Sequence, residues 1–348
     1  MVSWAFEEGG HGLRRRLILH VGPHKTGTTY IQKRLVEDRE LLHERLGLLY
    51  PRAGQTFQFG HHVVVPLFHH EAAGDSSVLR ELKEEVRHSR VALLSSEKFS
   101  KLEGADFVRV REHFADCDIR VVVYLRVRSE LLVSRWGASI KHGADHSFPE
   151  YLARALVAPH ASPVIDQGKL LDTVSSVFGR PSLQILIYRR DVDLYAEFVE
   201  RVLESDSFAA ASVGRNEPVN VALPVHVTEC IRLLNNRAKR DGVRDRRSVP
   251  RRFMVCYRSG GLTAEMDRFR RAFDANASVM TIAGVDALFE AQDREMMRTY
   301  GANVAGGARD ACFPESRTRE VRYLRDLDAA ADGEVKEIVG RVHRIMAS

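Results

Sequence analysis

The sequence predicts an α/β protein: three layers, with a central parallel sheet of four to five strands, helices on both faces and a mainly helical C-terminal region. Three observations carry this. Apolar strand-like runs alternate with helical stretches from Leu17 to about Glu204, a pattern that calls for parallel pairing through right-handed crossovers. The first run passes through a glycine-bearing loop directly into a helix, the arrangement that turns backbone N–H groups toward an anion. Past Glu204 strand-like runs become rare. The chain therefore divides into an α/β core over 1–204 and a helical region over 205–348, expected to form one continuous domain with it.

The first element is Leu17 to Val21, short and apolar enough for a buried strand, and expected at the centre of the sheet. A Gly-Pro step and a loop of small residues follow. From Thr28 the spacing is helical, with Ile31, Leu35, Leu42 and Leu46 near one face. Gly22 and Gly27 stand five apart, as the two glycines of a Walker A loop do, but the lysine is Lys25, ahead of the second glycine, and Thr28 takes its usual place. So placed, the lysine serves something shorter than a triphosphate. Residues 48–67 are irregular, punctuated by Pro51, Gly54, Gly60 and Pro66, and contain the pair His61-His62, whose bland alternative is packing or solvation.

A helix of mixed charge follows over 78–88. Val91 to Leu94 is the second strand and runs into Ser95-Ser96-Glu97-Lys98, a polar cluster where open parallel sheets bind ligands. Ile119 to Leu125 is the third strand and ends in Arg126, with a helix from Ser129. A helical segment over Ile165 to Phe178 stops at Gly179, and Leu183 to Tyr188 is the fourth strand. Helices are expected over Val225–Ala238, Thr263–Ala275 and Asp286–Tyr300.

Composition sets the limits. The 348 residues, 44% hydrophobic, are enough for a sizeable core. No run of 18 apolar residues exists and the N-terminus has no apolar leader region, so a cytoplasmic protein without membrane insertion is expected. Cys117, Cys230, Cys256 and Cys312 form no CxxC pair and read as idle thiols in a reducing compartment. The net charge of +5 favours an anionic ligand only mildly. Arg14 to Arg16 read as a solvated basic edge. From Lys239 to Arg258 eight basic residues meet two acidic ones, either an exposed mobile loop or a basic flap over an anionic ligand; no nucleic-acid motif accompanies them, so no nucleic-acid partner is expected.

The string GPHKTGTT after an apolar strand resembles the 5′-phosphosulfate loop of sulfotransferases that use 3′-phosphoadenosine 5′-phosphosulfate (PAPS), notably bacterial and carbohydrate-type members with a P-loop fold. VALLSSEKFS, LQILIYRRD and FEAQDREMMRTYG are softer matches. The likeness is good from Leu17 to about Glu204 and patchy beyond. It implies PAPS as sulfuryl donor and PAP as product, with no metal. Backbone N–H groups of His24, Lys25, Thr26, Gly27, Thr28 and Thr29 would hold the 5′-phosphate, and Lys25 would neutralise the leaving oxygen. Arg126 and Ser134, eight residues on, match the family's pair for the 3′-phosphate, which distinguishes PAPS from ATP.

The general base is expected among Glu97, His61 and His62. Glu97 comes first because it ends a strand on the edge where the loop emerges; a histidine suits neutral pH better by its ordinary pKa. The acceptor, a hydroxyl or amine on a small molecule, glycan or natural product, is unnamed by the sequence. A P-loop kinase of a small molecule is the alternative, but would want an aspartate ending a strand for Mg²⁺ and a lysine after Gly27. A non-catalytic nucleotide-binding module is the third.

Overall fold

The computed structural model describes residues 14–57, 59–69, 76–159, 165–205, 222–305, 313, 320–325 and 333–347. The N-terminal stretch and Cys312 lie outside the described residues. By contact the chain forms two compact units, one of residues 1–127, 160–220 and 289–314, the other of 128–159, 221–288 and 315–348. The boundary drawn at Glu204 does not coincide with this division. Residues 128–159 belong with the C-terminal helices, and 289–314 return to the first unit.

The first unit is built on five parallel strands: β1 Arg15–His20, β2 Leu48–Leu49, β3 Val91–Ser95, β4 Cys117–Leu125 and β5 Leu183–Ile187, in the order β2-β3-β1-β4-β5. β1 is central, as its continuous apolar run requires of a strand covered on both faces. The edge strand β2 lies in the stretch read as irregular. It is two residues long and exists only through its pairing with Val91 and Ala92.

Side chains alternate between the two faces. Leu17, Leu19, Ala92, Leu94, Val121, Val123 and Ile185 pack with helices α3 Val64–Leu67, α4 Ser77–Arg87, α5 Gly104–His113, α8 Gln167–Phe178 and α14 Glu290–Tyr300. Ile18, Leu93, Val122, Tyr124 and Leu186 pack on the opposite face with α1 Thr28–Glu37, α2 Arg39–Leu46 and α9 Leu194–Val202. The helix expected to run unbroken from Thr28 to Leu46 is interrupted at the buried Asp38, which accepts from Arg34 at 3.2 Å.

The second unit contains α6 Arg128–Lys141, α7 Phe148–Val157, α10 Val225–Arg240, α11 Ser248–Arg258, α12 Thr263–Asn276, α13 Ala283–Leu288 and α15 Gly333–Ala347. Its core includes Trp136 edge-on to Phe148, Ile231, Leu234, Phe253, Phe269 and Ile338. Two findings differ from expectation. An antiparallel pair, β6 Ser278–Thr281 with β7 Glu320–Tyr323, stands in a region read as helical. Most of the basic stretch from Lys239 to Arg258 is helix, not loop: it ends α10 and supplies all of α11, leaving 241–247 between them. A fully buried Glu229–Arg232 pair (2.9 Å) closes this core, and both residues also bond the backbone of Leu324.

Candidate active site

The site lies at the carboxyl end of β1, where the sheet order brings β3 to one side and β4 to the other, the crevice in which open α/β sheets bind ligands. Its first component is the loop Gly22–Gly27. Gly22, Lys25 and Gly27 occupy the left-handed region at φ 78°, 76° and 81°. Glycine tolerates this, but a lysine there costs of order 1–3 kcal/mol and marks a conformation imposed by its surroundings. Interspersed left-handed residues turn successive peptide N–H groups to one side, the concavity that holds anions.

The loop is braced from within. The buried Thr26 hydroxyl donates to the Pro23 carbonyl at 2.7 Å, so that side chain serves the fold and only its N–H can serve a ligand. Gly27, at φ 81°, sits where an L side chain is strained, and a Cβ there would also stand 2.3 Å from Leu194 Cδ1, so that side chain would have to shift. α1 then begins at Thr28 with no side-chain cap, leaving first-turn N–H groups and the positive end of the dipole for a ligand. Thr28 is buried, Thr29 half-buried and Lys25 exposed.

Arg126, directly after β4, meets this loop. Its Nη1 donates to the Lys25 carbonyl at 2.5 Å, and its guanidinium lies 4.3 Å from the centroid of Tyr188, the residue after β5. The Arg126 backbone is clamped by one amide: Arg126 N–H donates to Gln167 Oε1 at 2.8 Å, and Gln167 Nε2 donates to Arg126 O at 2.9 Å. Gln167 and Tyr188 were not found from the sequence. Ser134, the other half of the expected pair, is half-buried on α6 of the second unit.

Glu97 stands on the opposite side of the loop. A Cβ on Gly22 would lie 2.7 Å from Glu97 Cα, so Gly22 permits the contact that puts the carboxylate beside the anion loop. The turn is tied to β1 by the Ser96 N–H on the His20 carbonyl (3.1 Å), and Ser96 Oγ accepts from Lys98 N–H (3.2 Å). The Glu97 side chain is 17% exposed. Its Oε1 lies 3.8 Å from His24 Nδ1 and its Oε2 3.6 Å from His62 Nδ1. Oε2 is buried and, among the described residues, accepts no hydrogen bond. A carboxylate oxygen left so is costly unless it has work to do.

The two neighbouring histidines separate in role. His61 is fully buried: its Nδ1 accepts from Ser95 N–H (3.2 Å), which puts its proton on Nε2, and Nε2 donates to the Pro51 carbonyl (3.0 Å). With both nitrogens engaged, His61 fastens the 51–62 loop to β3 and is not placed to take a proton. His62 lies beside Glu97, its Nδ1 2.8 Å from Ser96 Oγ. Burial lowers its pKa and Lys98 adds to the effect, against a raising influence from Glu97.

Two histidines in this framework make stability depend on pH. Burial holds His61 down at about 4 and His20, bonded to Ser95 Oγ at 2.9 Å, down at about 3. Both lie below the unfolded value of 6.5, so under that pH the unfolded chain binds more protons and stability falls as pH falls. These two groups alone predict a loss of about 2–3 kcal/mol per pH unit between roughly pH 6 and 5. Urea midpoints measured across that interval check it, and a flat profile would contradict neutral burial of both rings.

No family model and no curated protein matches the sequence. Among solved structures, a sulfotransferase from Alicyclobacillus acidocaldarius is similar at 16% identity and a TM-score of 0.35, over 60% of this chain and 87% of that one. A likeness at that level says nothing about activity. Among the described residues, no helix is long and apolar enough to cross a membrane.

Proposed function

We propose that the chain is a sulfotransferase that moves the sulfuryl group of PAPS to a hydroxyl or amine of a small-molecule or carbohydrate acceptor. One observation carries this reading. An uncapped anion loop, with Lys25 ahead of its second glycine, abuts a carboxylate whose buried oxygen has no hydrogen-bond partner. Loop N–H groups and the α1 dipole suit a 5′-phosphate. Lys25, exposed at the rim, meets charge that grows on the bridging oxygen as the S–O bond breaks. Glu97 takes the proton of the attacking acceptor group, so that acceptor sulfate and PAP are the products. Beside β1 the strand ends carry Ser95-Ser96-Glu97 and Arg126, without the aspartate a kinase would use for Mg²⁺.

Acceptor-dependent release of PAP from PAPS tests the activity, and Arg126→Ala tests the donor. Loss of a charged hydrogen bond is worth about 1.5–3 kcal/mol, so PAP binding should weaken roughly ten- to hundredfold. Adenosine 5′-phosphosulfate, without the 3′-phosphate, should be nearly indifferent. Equal losses for both would mean that Arg126 only braces the Lys25 carbonyl.

A further inference from the structure

β4 stops at Leu125, whose carbonyl accepts the last rung of the sheet from Tyr188 N–H at 2.7 Å. Arg126 comes next and is 5% exposed, so its N–H and C=O need partners that strand pairing no longer supplies. Gln167 supplies both. Its fully buried side-chain amide accepts from Arg126 N–H at 2.8 Å and donates to Arg126 C=O at 2.9 Å, which extends the ladder by one residue with a side chain. A planar amide bonded through both ends fixes the rotation of the Arg126 main chain, and with it the direction in which the guanidinium leaves.

Gln167 is itself held from behind. It opens α8, where Asp166 caps the helix by accepting from Lys169 N–H at 3.1 Å and also accepts from Gln292 Nε2 at 3.1 Å. Six residues on, Asp172 accepts from Tyr300 Oη at 2.6 Å. Gln292 and Tyr300 both stand on α14, in the FEAQDREMMRTYG stretch, so α8 is fastened to α14 at two places. On the other side, the Arg126 guanidinium lies against the Tyr188 ring and bonds the carbonyl of Lys25, the loop residue at φ 76°. Helix, amide, arginine and anion loop form one continuous line of contacts.

We propose that Gln167 is a positioning residue for Arg126, and that it sets the preference of the site for a nucleotide with a 3′-phosphate over one without. The inference rests on the sulfuryl-transfer reading, with Arg126 as the contact to the 3′-phosphate. A charged hydrogen bond weakens quickly with distance and angle, so a swinging arginine loses contact that a fixed one keeps. Fixing the main chain in advance also leaves less freedom to lose when the phosphate arrives.

The test is a double-mutant cycle. PAP and adenosine 5′-phosphosulfate are titrated against wild type, Gln167→Met, Arg126→Ala and the double variant, and the unliganded Tm of each is measured. Gln167→Met should weaken PAP binding about fivefold or more and leave adenosine 5′-phosphosulfate nearly unchanged. In the Arg126→Ala background the same substitution should leave PAP affinity unchanged, because the guanidinium it aims is gone. The drop in Tm should be alike in both backgrounds, since the Arg126 backbone groups that lose their partner are present in both. That contrast separates positioning from a merely structural role. The same PAP loss in both backgrounds, equal losses for the two nucleotides, or unchanged PAP binding in Gln167→Met would overturn the proposal alone. A wild type that binds PAP no better than adenosine 5′-phosphosulfate would overturn the donor reading and the proposal with it. Should Gln167→Met not fold, Gln167→Glu carries the cycle, because it keeps the acceptor for Arg126 N–H and loses the donor to Arg126 C=O.

Discussion

Glu97→Gln is expected to lower kcat by about two to four orders of magnitude at saturating PAPS while leaving PAP affinity intact. The substitution keeps size and hydrogen-bonding capacity, so the packing against Gly22 survives and only proton acceptance is lost. The prediction stands on geometry first: the carboxylate abuts the anion loop, and its Oε2 is buried with no hydrogen-bond donor. His62 is the competitor, 3.6 Å away and half-shielded by Ser96. Under this assignment His62→Ala retains much more activity than Glu97→Gln, and His61→Ala loses stability by opening the loop that His61 fastens to β3. Single-turnover rates on the three variants check the ranking. An active Glu97→Gln beside a dead His62→Ala would transfer the base to His62.

The second large effect belongs to Lys25. Its ammonium is asked to stabilise charge present chiefly in the transition state, so Lys25→Ala should reduce kcat by about 2.7–4 kcal/mol, two to three orders of magnitude. PAP binding should fall far less, because the N–H cradle remains. A loss confined to KM would place the lysine in ground-state binding, and normal turnover would remove it from the mechanism. Alanine at φ 76° bears the same backbone constraint as lysine, so Lys25→Met is the companion variant that keeps the stem without the charge.

The sequence made the centre of the fold legible because its signals there are local. An apolar run, a Gly-Pro step and GTT are contiguous, and β1 with its loop and α1 follow from them. Glu97 and Arg126 were legible for a related reason: Arg126 directly follows a strand, Glu97 comes two residues after one, and the ends of the two strands beside β1 are brought to one edge by parallel pairing. What is not local stayed hidden. β2 has two residues and no pattern of its own. Gln167 acts through an approach across 41 residues to the Arg126 backbone, which a helix reading from Ile165 gives no reason to expect. His61 and His62 are alike as letters, and only burial separates the structural ring from the one beside the carboxylate. The interleaving of the two units was hidden as well, since composition changes at Glu204 while contacts regroup the chain at Val127 and Phe289.

Whether the Gly22–Thr29 loop receives a nucleotide ending in one sulfated 5′-phosphate, or a triphosphate with its metal, decides between sulfuryl and phosphoryl transfer. Thermal unfolding with PAP and with ATP·Mg²⁺, each at increasing concentration, measures it most directly. PAP at a hundredfold over its Kd should add about 2.7 kcal/mol of stability, with ATP·Mg²⁺ giving little at equal concentration. Stabilisation by ATP·Mg²⁺ and none by PAP would contradict the account.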